Sequence, residues 1–319
     1  MAFFLVTGGT GFIGRSIVER LSYDGHQVRV IDNFSRNFNA DHIFNSKNIE
    51  VVKGDVRIRE DVAKALKGVD RVLHMAYING TQNFYTRPYE ILEVGIKGML
   101  NILDECKVQG VKELSLISTS EVYQLPKEIP TPETVPLIVP DVDNPRFSYG
   151  GGKIASELLL VNYARENLDK FSIIRPHNVY GPNMGFEHVI PQLILKIRNA
   201  QRENTGTVEI QGSGDETRAF CYISDFVDGS IIAMNDSKYE NRIFHIGTSI
   251  ETPISELFQI IAQELKFTGS FIPGSLSEGS VQRRVPNIAK VKQIGYLPKV
   301  SMADGIYSTV KWYLKNETN

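Results

Sequence analysis

Residues 3–14 read FFLVTGGTGFIG. A short apolar run enters a glycine-rich turn, and the turn opens into helical periodicity. This order predicts a strand over 3–7 and a helix from about Phe12 to Asp24, with Gly8, Gly11 and Gly14 spaced by three. Small residues there permit a tight turn and let a diphosphate approach the free N–H groups of a helix N-terminus. The glycine spacing alone is a weak signal. It gains weight from Asp32, which ends the next strand, VRVID (28–32), at a distance suited to hydrogen-bonding a ribose. The expected dinucleotide cradle comprises Gly8, Gly11, Phe12, Ile13 and Gly14, with Asp32 and Asn33 at the adenosine ribose. A carboxylate at 32 repels a 2′-phosphate, so the expected cofactor is NAD rather than NADP.

The alternation continues outward. NIEVVKGD (48–55), VDRVLHMA (69–76), VKELSLIST (111–119) and FSIIRP (171–176) read as strands. Helical patterns cover about 59–67, 91–110 and a segment starting near Gly151. This order predicts an α/β chain of βαβ units, a Rossmann-type, mostly parallel sheet flanked by helices. Gly54, Asp55 and Val56 follow the third strand and are expected at the adenine end. Ala76 follows the fourth and is expected along the nicotinamide path. Regular alternation fades after 176. The first domain is therefore expected over 1–176, completed by about 220–246, with 177–219 and 247–319 forming a smaller interleaved C-terminal lobe. The proline-rich stretch 127–148 is long for a loop, and loops of that length often carry function.

Bulk properties narrow the class. With 35 Lys and Arg against 37 Asp and Glu, and no charged tail, nothing favours a nucleic-acid partner. Cys106 and Cys221 lie in no metal-type cluster, so no metal is expected, and they read as two unpaired thiols of a reducing compartment. The start MAFFLVTGG reads as a strand rather than a signal peptide, and no apolar run reaches the roughly 18 residues of a membrane span. The expected location is cytoplasmic.

A second motif lies in RFSYGGGKIASELLL (146–160). Tyr149 and Lys153, four apart, share a helix face. A nearby ammonium is expected to lower the phenol pKa, giving a base that takes a proton from a sugar hydroxyl while hydride leaves the same carbon. Three glycines between them weaken the helix by about 1 kcal/mol each relative to alanine, which suggests that space is needed there. Thr119, ending its strand, offers a hydroxyl to steady the substrate oxygen.

Taken together, TGGTGFIG, DNF (32–34), GDV (54–56), HMA (74–76), STSEVY (118–123), YGGGK, RPHNVYGP (175–182), TRAFCYISD (217–225) and RRVPN (283–287) resemble one family over nearly the whole chain. It is the NAD-dependent nucleotide-sugar epimerase/dehydratase family of the extended short-chain dehydrogenase/reductase superfamily. The resemblance implies Tyr149 as catalytic base, Lys153 on the nicotinamide ribose and Thr119 on the sugar 4-hydroxyl. It also implies that Asn178, Arg218 and Arg284 hold the diphosphate or nucleotide of a nucleotide-diphosphate sugar. Ser120 and His188 are further substrate-side candidates, with His177 and Glu187 beside them.

Such enzymes begin by oxidising a sugar carbon, usually C4. Returning hydride to the other face gives a 4-epimer, and this is the leading expectation. Elimination gives a 4,6-dehydratase, for which Glu121 is the candidate C5 base, and release of NADH gives a net 4-dehydrogenase. The common dehydratase pattern has Asp-Glu after the Thr, where this chain has Ser120-Glu121, a Thr-Ser-Glu run that resembles guanosine-type mannose dehydratases and sugar-acid decarboxylases. Residues 74–88 lack the Ser-Pro signature associated with decarboxylases. Gly152 stands where the family often has serine, and Gln124 where glycine is usual. The helices at 91–109 and 151–166 match those that pair across a two-fold axis in the family, which implies a homodimer.

Overall fold

A computed structural model describes residues 1–36, 44–238, 242–276 and 281–316. Positions 239–241, 277–280 and 317–319, which fall within the expected completing segment and lobe, lie outside the described residues.

Apolar runs produce the central sheet. Its strands are β1 (Phe3–Thr7), β2 (Gln27–Asp32), β3 (Ile49–Lys53), β4 (Arg71–His74), β5 (Glu113–Ile117), β6 (Lys170–Pro176) and a last strand, Ile243–Ile246. From one edge the order is Ile243–Ile246, β6, β5, β4, β1, β2, β3, and the pairs from β6 to β3 are parallel. Four consecutive residues of β1 and of β5 are buried, the signature of strands covered on both faces. The chain leaves β1 through β2 and β3, then returns to place β4 on the other side of β1. That reversal opens a crevice at the carboxyl ends of β1 and β4, where Thr7 and His74 are register partners.

Helix α1 (Phe12–Tyr23) buries Phe12, Gly14, Ile17, Val18 and Leu21, one stripe at helical spacing. After α2 (Arg59–Ala65) come the short α3 (Thr81–Thr86) and α4 (Pro88–Leu92), then α5 (Gly98–Gln109) and α6 (Ser148–Asn167). The sequence predicts one helix over 91–110, but residues Glu93–Lys97 form a π-helical turn between α4 and α5. The wider turn sets Gly95 and Gly98 against neighbouring side chains: a Cβ at Gly98 would stand 2.8 Å from Val56 Cγ2. Helix α6 begins at Ser148, before the expected start, because a 3₁₀ turn over Pro145–Phe147 leads into it and Ser148 Oγ donates to the Pro145 carbonyl. The three glycines thus lie inside the helix.

The chain forms two compact units: residues 1–124, 136–176 and 227–244, and residues 125–135, 177–226 and 245–319. The expected division placed 125–135 with the first domain. It packs in the second unit because Thr131 is bracketed by backbone bonds there, its N–H donating to the Val285 carbonyl and its carbonyl accepting from Asn287 N. The second unit contains helices Val189–Arg202, Ile254–Glu264 and Met302–Asn316 and a small sheet in which Thr217–Arg218 pairs with Thr252–Pro253 and Arg283–Arg284.

One buried ion pair ties the first unit together below the crevice. Arg175, at the end of β6, is 2% exposed, and Glu157, on α6, is 3% exposed. Arg175 Nε donates to Glu157 Oε1 at 2.9 Å and Nη2 donates to Oε2 at 2.5 Å. Ser118, just after β5, donates to the same carboxylate, and Arg175 Nη1 bonds the Tyr123 hydroxyl. Replacing Glu157 by Gln strands a buried guanidinium, so Glu157→Gln is expected to lose about 3–5 kcal/mol in urea unfolding. The double variant Glu157→Leu with Arg175→Met, which removes both charges, should recover most of that loss.

Candidate active site

The glycine turn is shaped by contacts that exclude side chains. Gly8 has φ +70°, and a Cβ on it would lie 2.8 Å from Ala76 Cα. A Cβ on Gly14 would lie 2.4 Å from the Gly8 carbonyl oxygen, whereas at Gly11 the nearest atom is 3.4 Å away, an ordinary contact. Phe12 is buried and Ile13 half-buried. Helix α1 has no side-chain cap and no acidic residue in its first turn, so its N-terminal dipole is not neutralised locally. Asp32 ties the turn to the loop after β2, accepting from Thr10 N at 3.1 Å and from Phe34 N at 2.9 Å. A backbone cradle, an uncapped helix start and a carboxylate at the end of β2 fit the diphosphate and ribose of NAD.

Asp55 is engaged differently from a free adenine acceptor. Its Oδ1 accepts from Arg57 N and Nε, and its Oδ2 accepts from Arg57 Nη2 and Asn33 Nδ2. Those four donors fill the carboxylate's usual acceptor sites. Burial works to raise its pKa, but the Arg57 and Asn33 hydrogen bonds prevail and hold the carboxyl down at about 2. Val56 is buried against Gly98, and its carbonyl accepts from Asn101 Nδ2.

At the crevice, Thr7 Oγ1 accepts from Met75 N and Ala76 N, both at 3.0 Å, so its own hydrogen is directed to His74 Nδ1 at 2.8 Å. That assigns the proton of neutral His74 to Nε2. Burial, with the Lys153 charge adding to it, lowers the His74 pKa to about 3 and keeps the ring neutral.

Tyr149 and Lys153 are both buried on α6. Tyr149 is hydrogen-bonded with Thr119, which also caps the 3₁₀ turn Ser120–Tyr123 by accepting from Glu121 N at 3.1 Å. The expected lowering of the phenol is not what the structure shows. Burial pushes Tyr149 up to about 12, with the Thr119 bond opposing and the Glu121 charge reinforcing that rise. Lys153 instead donates to the Ile117 carbonyl at 2.7 Å, and its Nζ stands 4.1 Å from the centroid of the Tyr77 ring. Burial brings Lys153 down to about 7, against the pull of Glu157.

The glycines between them make room for two side chains of this chain. A Cβ at Gly152 would stand 2.1 Å from the Tyr77 hydroxyl, and one at Gly150 would stand 2.5 Å from Gln124 Nε2. Gln124 occupies a left-handed conformation, φ +50°, where glycine is favoured. Sequence reasoning noted Gly152 and Gln124 as departures but missed Tyr77 and Phe84. Phe84 stacks on Tyr149 at 4.9 Å and Tyr77 meets it edge-on at 5.2 Å. The missing serine at 152 was the available signal, since lost volume beside a site implies a neighbour that fills it.

In the second unit, Arg218 and Arg284 are register partners on adjacent parallel strands, which places both on one face of the small sheet. Asn178, with φ +41°, reaches the Ala219 carbonyl, and a pocket of about 140 Å³ is lined by Asn178, Gln192, Lys196, Gln211, Arg218 and Phe220, among others. His188 is the N-cap of Val189–Arg202, and His177 packs edge-on against His245 at 4.7 Å. Among the described residues no helix is long and apolar enough to cross a membrane.

A parallel sheet with a glycine cradle at its reversal point and a buried Tyr-x-x-x-Lys helix defines a dinucleotide-dependent enzyme. The pattern of the NAD dependent epimerase/dehydratase family matches residues 4–247, and the chain belongs to that family. UDP-glucuronic acid decarboxylase 1 of Xenopus tropicalis is 31% identical over 316 residues, which are 98% of this chain and 72% of the relative. The UDP-glucose 4-epimerase of Thermotoga maritima, solved with UDP-glucose, superposes with a TM-score of 0.85 at 28% identity, covering 98% of this chain and 99% of the other. DesIV, a dTDP-glucose 4,6-dehydratase of Streptomyces venezuelae solved with NAD, gives 0.86 at 28% identity, covering 98% and 97%. Three reactions stand at similar likeness, decarboxylation included, so whole-chain similarity fixes family and fold while the reaction rests on the site.

Serine at 152 is expected to destabilise the protein by about 1–3 kcal/mol through overpacking against Tyr77. Tyr77→Ala in the same chain should absorb the clash, giving a double variant more stable than the two single losses add up to, measured by thermal unfolding.

Proposed function

We propose that the protein is an NAD-dependent nucleotide-sugar 4-epimerase acting through a 4-keto sugar. Tyr149 takes the proton from the sugar 4-hydroxyl and later returns it, Thr119 orients that oxygen, and Lys153 holds the nicotinamide ribose. NAD, when bound in the Gly8–Gly14 cradle, would supply the hydride acceptor and donor. Burial favours the protonated form of Tyr149, and the Thr119 hydrogen bond opposes that rise.

The observation carrying this reading is Ser120, a buried hydroxyl where elimination calls for an acid to protonate the departing 6-hydroxyl. Epimerisation needs one proton acceptor and donor, and the Tyr149–Thr119 pair is complete for that. Dehydration is the second reading, supported by Glu121, which shares the turn capped by Thr119 and whose charge acts on Tyr149.

For the second unit we propose that Asn178, Arg218 and Arg284 hold the substrate diphosphate with His188 as a further contact; in the first unit we propose Ser120 as a substrate contact. Paired guanidiniums suit a diphosphate because each offers several donors in one plane. We also propose a cytoplasmic homodimer. Most of the apolar runs 99–103 and 158–161 is committed inward, while Leu100 on α5 and Leu158 on α6 are exposed and available to a second copy.

The decisive test incubates a panel of nucleotide sugars, sugar acids included, with the protein and NAD, and reads products by mass and NMR while absorbance follows NADH. An unchanged mass with inverted C4 is expected. Loss of water makes the protein a dehydratase, loss of carbon dioxide a decarboxylase, and lasting NADH with a keto product a 4-dehydrogenase. Tyr149→Phe should cut turnover by about 10²–10⁴-fold with NAD still bound, measured as kcat alongside an NAD titration.

A further inference from the structure

Tyr77 touches both members of the Tyr149–Lys153 pair. Its ring meets Tyr149 edge-on at 5.2 Å, and its face lies 4.1 Å beneath the Lys153 ammonium. Its hydroxyl is wedged where no side chain can be: a Cβ at Gly95 would stand 2.3 Å from it and one at Gly152 would stand 2.1 Å away. One glycine comes from the π-helical turn and the other from the YGGGK run, so two irregular features of different helices form one slot. The hydroxyl is buried there without a hydrogen-bond partner. An unpaired buried hydroxyl stabilises nothing, so the slot serves to aim the ring rather than to satisfy the OH.

The ammonium explains why the ring is aimed. Lys153 has three N–H donors and no acceptor. One donor goes to the Ile117 carbonyl, and the Tyr77 face covers a second direction. The remaining donor is left for a ligand. A buried cation over an aromatic face is held electrostatically by the ring quadrupole.

We propose that Tyr77 is a positioning residue for Lys153: seated by Gly95 and Gly152, its ring holds the buried ammonium in place and in its charged form. This rests on the reading of Lys153 as an NAD-ribose ligand. The other ionisable groups facing the ammonium are His74, at the end of β4, and Glu157 and Tyr149, on α6. His74 is neutral, and the Glu157 carboxylate, which also bonds Arg175, supports the charge alongside the ring.

The sign of the effect follows. A ring that stabilises the ammonium raises the Lys153 pKa, so weakening the ring lowers it, and NAD affinity then falls away at lower pH. The test is a calorimetric titration of NAD into the protein across pH 6 to 9, comparing wild type with Tyr77→Phe, Tyr77→Leu and a chain carrying 3,4,5-trifluorophenylalanine at 77. Tyr77→Phe is expected to keep the pH midpoint of NAD binding. Tyr77→Leu should move it down by about one pH unit, making NAD roughly tenfold weaker above the midpoint. The fluorinated ring, which keeps shape while depleting the negative face, should fall between, and it tests the idea even where Tyr77→Leu fails to fold. A wild-type midpoint in the fluorinated protein overturns the proposal and makes Tyr77 a filler. Lys153→Met separates the two readings: if it binds NAD with wild-type affinity and pH dependence, the assignment of Lys153 fails first.

Discussion

The Arg175–Glu157 pair is the contact on which the catalytic half of this protein depends. It joins β6 to α6, and through Ser118 and Tyr123 it also grips the end of β5 and the turn that follows. Thr119 is the residue next to Ser118, Glu121 lies on that turn, and Lys153 sits one helical turn before Glu157. A buried bidentate pair has one low-energy geometry, so it sets the spacing between the strand end and the helix to the precision of a hydrogen bond. Its value lies in specifying an arrangement more than in net stability, because both charges had to leave water.

Around that fixed point, volume is exchanged between segments far apart in sequence. Gly152 and Gly95 yield space that Tyr77 fills, and Gly150 yields space to Gln124. Each glycine weakens its helix on its own account. Together they let aromatic rings line the Tyr149 site without loosening the packing between α6 and the π-helical turn. The departures from the family pattern at 124 and 152 each sit in a local exchange of volume: Gln124 gains a side chain beside Gly150, and Gly152 lacks one beside Tyr77.

The electrostatics of the buried pair also differ from what a linear reading suggests. Four residues along a helix put Tyr149 and Lys153 on one face, but not in one environment. Lys153 turns to a strand-end carbonyl and an aromatic face, and Tyr149 turns to Thr119. Burial acts on both in the direction that removes charge, pushing the phenol up and the ammonium down. Under the proposed reading, the surroundings that this chain supplies favour the protonated form of the phenol.

Much was legible from the chain itself. The strand, glycine turn and helix of 3–14, the acidic end of β2 and the alternation of strands and helices all depend on local periodicity and on short-range steric rules, which a sequence carries explicitly. The Thr119, Tyr149 and Lys153 set was readable because helical spacing and strand ends are local as well. What the sequence could not convey is which distant atoms meet. The π-helical turn, the Asn33 bond to Asp55, the seat of Tyr77 and the membership of 125–135 in the second unit are decided by contacts between residues well apart in sequence. Spacing marked the candidate groups; only tertiary packing decided their surroundings, because burial and partner choice depend on which segments come to share a volume.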